Sequence, residues 1–144
     1  MKGRGSVAYA GAMKQTFLGY GAALLVVAAL DALWLGLLAR DFYRAELAGL
    51  MAEQVRLLPA AVFYLGYPAG LVALVLRPLP ASLGAAAGRA ALLGLVAYGV
   101  YDMTNLATLK GFGVMLALVD MAWGTFVTAS AGAAGWWAMR ASMR

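Results

Sequence analysis

Residues 15–39, lying between Lys14 and Arg40, carry one charge, Asp31. Three more runs of the same kind follow, at about 57–76, 90–109 and 112–139, bounded by Arg56, Arg77, Arg89, Lys110 and Arg140. A helix crossing roughly 30 Å of hydrocarbon needs about 20 apolar residues. The apolar stretches are continuous and do not alternate, which selects helices over barrel strands. The expected fold is therefore all-α: an integral membrane protein built as an antiparallel bundle of four transmembrane helices. Nothing in residues 1–144 marks a second domain.

Composition agrees. Of the residues, 65% are hydrophobic and 12% charged, with a mean hydropathy of +0.83. A soluble domain has roughly 25% charged residues, so the lipid bilayer is the first partner. The basic N-terminus "MKGRGSVAYAGAMK" precedes an apolar run longer than the roughly 7–15 residues of a signal peptide's core, and reads as the flank of a retained first span. The net charge of +5 is scattered over span ends and is no nucleic-acid footprint. The chain has no Cys and no His, which excludes thiolate metal sites, His-held metals and haem, and leaves any cofactor unknown.

Four spans put both termini on one side, with Lys2, Arg4, Lys14, Arg77, Arg89, Arg140 and Arg144. The opposite side holds Arg40, Arg44, Arg56 and Lys110, diluted by Asp41, Glu46 and Glu53. The basic excess predicts that both termini face the cytoplasm. "RPLPASLGAAAGR" reads as the linker between spans two and three, and Lys110-Gly111 as a tight turn. Between spans one and two, Phe42, Leu47, Leu50, Met51 and Leu57 form a loose apolar stripe. This predicts a short interfacial helix, either covering the bundle mouth or simply joining two spans. Trp136 and Trp137 read as an aromatic belt.

The remaining three acids, Asp31, Asp102 and Asp120, lie inside spans. Asp31 is nine residues before Arg40, Asp102 eight before Lys110, and Asp120 ten after it. At about 1.5 Å per residue, all three sit roughly 12–15 Å below the outer boundary. Each heads a short tetrad, "DALW", "DMTN" or "DMAW", so that Trp34, Asn105 and Trp123 share a helix face with their acids. Span two contributes Tyr64 and Tyr67 near this depth, beside Pro68, and span three contributes Tyr98 and Tyr101. A lipid-facing acid is costly, so these faces should turn inward.

Unpaired carboxylates in low dielectric must be protonated, hold a cation, or meet an inward-bent Arg56 or Lys110. A cation would be held by Asp31, Asp102 and Asp120. The candidate binding residues are Asp31, Trp34, Tyr64, Tyr67, Tyr101, Asp102, Asn105, Asp120 and Trp123. Three functions fit them. One is binding, or transport, of a cation, proton or polar lipid group. Another is an intramembrane enzyme acting on a lipid or isoprenoid, although no diphosphate-binding acid cluster is present. The third is an accessory subunit of a larger complex with the acids as interhelical glue. A homodimer through small residues, such as the "GAAAG" of residues 84–88, fits any of them. Thr128 and Ser130 are the only support on span four for a path toward the inner side.

The strings "YDMTNLATLKGF", "DMAWGT" and "DALWLG" resemble those of an uncharacterised family of small bacterial four-span membrane proteins, a domain of unknown function. The resemblance runs from span one through span four. It implies the four-span architecture and a bacterial origin, and it brings no activity or catalytic residue.

Overall fold

A computed structural model describes residues 3–144, with side chains described from residue 9. Lys2 and the side chain of Arg4, both used in the charge count, lie outside the described residues. The described chain is helical without strands: α1 (Gly3–Leu33), α2 (Arg40–Glu46), α3 (Leu57–Leu71), α4 (Leu83–Thr108) and α5 (Val114–Ala141). Two π-helical segments, Trp34–Leu38 and Val72–Leu76, prolong α1 and α3. Four helices are long and apolar enough to cross a membrane: Tyr9–Leu38, Leu57–Leu76, Leu83–Thr108 and Val114–Ala141.

Two helix starts differ from expectation. The first helix is already formed at Gly3, the first described residue, well before the expected span, and no proline interrupts residues 3–14. The helix of span three starts at Leu83, which shortens the linker to residues 77–82 and puts Arg89 inside α4. Ser82 sets that start, its hydroxyl accepting from the Ala85 amide at 3.1 Å. The turn at Lys110-Gly111 is present, and Gly111 takes φ +85°, a conformation that glycine adopts without a Cβ clash.

The closest packing joins α4 to α5. Ala86, Ala90 and Gly94, four residues apart, press their backbone against Gly124, Thr128 and Gly132. A Cβ on Gly124 would occupy the Tyr98 ring. Within the motif at residues 84–88 it is Ala86 that joins this contact, while Gly84 and Gly88 face away from α5. α1 lies against α5, with Ala23 and Val27 fully buried. α3 is the loose member. It leans on α1, and its π segment inserts Leu76 into the core while the rest of the helix stands off α4.

At the end carrying both termini, Trp136 is half-buried and its indole donates to the Pro80 carbonyl at 2.8 Å, tying α5 to the 77–82 linker. Trp137 is exposed. At the other end α2 lies across the bundle. Phe42, Tyr43 and Leu47 pack on Phe112, Leu116 and Ala117. Glu46 rests its carboxylate against Gly113, at the positive N-terminal end of α5. Of the two roles open to this segment, it takes the covering one.

Candidate functional site

Asp31 is carried by the last turns of α1 and is 3% exposed. The indole of Trp123, on α5, donates to its Oδ1 at 2.9 Å. Tyr64, on α3, faces it across a cleft. Asp120, one turn before Trp123, accepts from the Tyr43 hydroxyl at 2.6 Å, and Tyr43 in turn accepts from the Trp34 indole at 3.3 Å. The two indoles are stacked, with ring centroids 4.5 Å apart and planes within 6°. Each tryptophan thus serves the acid of the opposite helix: Trp123 directly, Trp34 through Tyr43. The i+3 spacing does put acid and indole on one face. The bonds cross between helices because the two faces meet.

Sequence reasoning missed Tyr43. It falls on the α2 stripe with Leu47 at i+4, and a phenol on the inward face of a covering helix is a natural donor to a buried acid. Burial, followed by the bond to Asp120, pushes the Tyr43 phenol above its ordinary value, so it stays a donor.

Asp31 and Asp120 line one cleft of about 800 Å³ beneath α2. Its floor and walls are Trp123, Tyr64, Tyr98 and Phe63, and its mouth carries Arg40 and Arg44. Neither Arg56 nor Lys110, the two basic residues open to bending inward, lines the cleft. The arginines at the mouth belong instead to the start and middle of α2. A side cavity of about 310 Å³, bounded by Phe63, Ala97, Tyr98, Tyr101 and Asp120, continues the cleft to the bundle flank between α3 and α4. The stand-off of α3 from α4 creates this opening. Tyr101 lines both spaces and is 57% exposed.

The other candidates lie apart. Asp102, fully buried, does not line the cleft. Its carboxyl sits beside that of Asp120, yet no bond of acceptable geometry closes between them and both Asp102 oxygens lack a partner. A buried, unpartnered carboxyl group is expensive to keep. Asn105 is half-buried and bonds to none of the three acids among the described residues. Tyr67 points away from the cleft toward Thr128, 2.8 Å distant. The Thr128 hydroxyl donates to the Gly124 carbonyl, so Tyr67 is the donor of that pair. Among the described residues no group of three acids is arranged to hold a metal ion. Asp31 turns to Trp123 and Asp120 to Tyr43, while Asp102 stands beside Asp120 and outside the cleft.

A family model described as "Predicted membrane protein (DUF2177)" matches residues 16–137. The chain belongs to this family. The match reaches into all four long apolar helices and takes in every residue of the cleft. No curated protein and no solved structure matches the chain.

Proposed function

We propose that this protein lies in a bacterial inner membrane with both termini in the cytoplasm, and that its cleft binds the polar end of a membrane-soluble amphiphile in the outer half of the bilayer, for presentation or transport. The observation that carries this reading is the sharing of one cleft by Asp31, Asp120, Arg40 and Arg44, continued by an apolar passage to the flank. Acceptors lie deep and guanidinium donors lie at the mouth. Such a cleft suits a head group with an anionic part for the arginines and a hydroxyl or amine for the acids. The passage between Phe63 and Tyr101 gives an attached chain a way into lipid.

An ion pathway is less well supported. Below the acids the hydroxyls are spent within the bundle: Thr128 on Gly124 and Tyr67, and Ser130 on the Phe126 carbonyl at 2.9 Å. Leu71, Leu76 and Met139 close the interior toward the termini.

Extraction of the protein from native membranes in mild detergent, followed by mass spectrometry of what it retains, tests the reading. The wild type should carry one amphiphile that the double variant Asp31→Asn/Asp120→Asn and the double variant Arg40→Gln/Arg44→Gln both lose. Equal retention by all three would overturn it. The neighbouring carboxyls of Asp102 and Asp120 favour a second reading, an intramembrane enzyme using the pair as acid and base. Conversion of the retained molecule by the wild type, and not by Asp102→Asn, would select it.

A further inference from the structure

A second cavity lies on the other half of the molecule, toward the termini. It measures about 530 Å³ and runs between α1 and α3 with its π segment. Ala69, Val72 and Ala73 form its floor, and Phe17 is the ridge beside it. Apart from Thr16 and the Tyr20 hydroxyl, which is spent on the Leu65 carbonyl at 3.1 Å, its only polar lining is Arg77. Ala69 and Ala73 are exposed on the helix surface, which leaves a trough where larger side chains would make a ridge.

Arg77 is held across the end of this trough. Its Nη2 donates to the Ala12 carbonyl at 2.6 Å and to the Thr16 hydroxyl. Thr16 itself donates to Ala12, so its oxygen is free to accept from the guanidinium. One nitrogen is engaged, and the N–H groups of Nε and Nη1 remain. No side-chain acid is available to meet them. All six Asp and Glu residues lie at positions 31, 41, 46, 53, 102 and 120, in the half of the fold that carries α2. The guanidinium is therefore fixed in place, at a span end, above an apolar trough, with no side-chain acid beside it among the described residues.

We propose that this trough is a binding site for one anionic phospholipid of the leaflet at the termini end. An acyl chain lies on Ala69 and Ala73, and the phosphate accepts from the free edge of Arg77. Charge complementarity selects this occupant. A zwitterionic lipid brings its own cation to the phosphate, and a second copy of the chain would bring more basic residues to this end of the bundle. The site is independent of the cleft beneath α2.

The test is native mass spectrometry of the purified protein delipidated and then titrated with phosphatidylglycerol or phosphatidylcholine. One phosphatidylglycerol should be retained at least about fivefold better than phosphatidylcholine. Arg77→Gln should abolish that preference, and Arg89→Gln should leave it intact. Ala73→Leu fills the trough from an exposed position, keeps the charge, and should remove the bound lipid even if Arg77→Gln fails to fold. Retention of phosphatidylglycerol by Ala73→Leu, or equal retention of the two lipids by the wild type, would overturn the proposal. So would a lipid-free dimer that Ala73→Leu dissociates, which would give the trough to a second copy.

Discussion

Trp123 donates its indole hydrogen to Asp31, 92 positions away in sequence, while its ring lies flat against Trp34. The two tryptophans are the contact through which the acids of α1 and α5 hold each other's helix. Trp123→Phe keeps much of the stack and leaves the nearly buried Asp31 without its donor. We expect a loss of about 1–3 kcal/mol in thermal or denaturant unfolding in detergent. Trp34→Phe removes only the longer 3.3 Å bond to Tyr43 and should cost less. The reverse order would show that the crossed pairing is not the stabilising one.

Tyr43 fastens α2 to the bundle through Asp120. Tyr43→Phe should speed amide exchange over residues 40–46 and lower stability by about 1 kcal/mol, the worth of a typical hydrogen bond. Because the folded phenol titrates above its unfolded value near 10, its contribution is fully present below about pH 10 and is lost as pH rises through the folded value. The difference between wild type and Tyr43→Phe should accordingly stay flat from neutrality to about pH 10 and narrow above it. A difference that narrows on the acid side would contradict this.

The α4–α5 contact makes opposite predictions for two glycines. Gly124→Ala drives a methyl into the Tyr98 ring and should destabilise by about 1–3 kcal/mol, the usual cost of overpacking. Gly88→Ala meets open space in the same helix pair and should gain about 0.5–1 kcal/mol from helix propensity. Equal effects on thermal unfolding would mean that the two helices do not pack in this register.

Asp102 tests the difference between lining a site and standing behind it. Asp102→Leu removes a buried carboxyl with two unpartnered oxygens, so stability should hold or rise by about 1–3 kcal/mol. Capture of the amphiphile in the cleft should continue. A severe loss of stability would show that Asp102 has a strong partner.

The spans are legible in the sequence because lipid requires unbroken apolar runs, and 57–76 coincides with the helix that continues into its π segment. The helical stretches ahead of Lys14 and Arg89 are not, because a cap at Ser82 and a proline-free N-terminal segment carry helix beyond the flanking charges. Flanking charges give the position of Asp31 and Asp120 along their helices. They cannot give the rotation of each helix about its own axis, which sets Asp102 behind the cleft, turns Tyr67 toward Thr128 and leaves Asn105 without a bond to the acids. Partners across helices, such as Tyr43 for Asp120, depend on that same rotation. The arginines at the mouth depend on where α2 lies, which its stripe only outlines.

Phe63 borders both the cleft and the passage to the flank, and the most direct test of a lipid-fed binding site is a photoreactive benzoylphenylalanine at this position. Irradiated in native membranes, it should form one predominant adduct with an amphiphile. That adduct should fall at least about tenfold when Asp31 and Asp120 become Asn, or when Arg40 and Arg44 become Gln. An adduct of mixed bulk lipids, unchanged by either double substitution, would contradict the account.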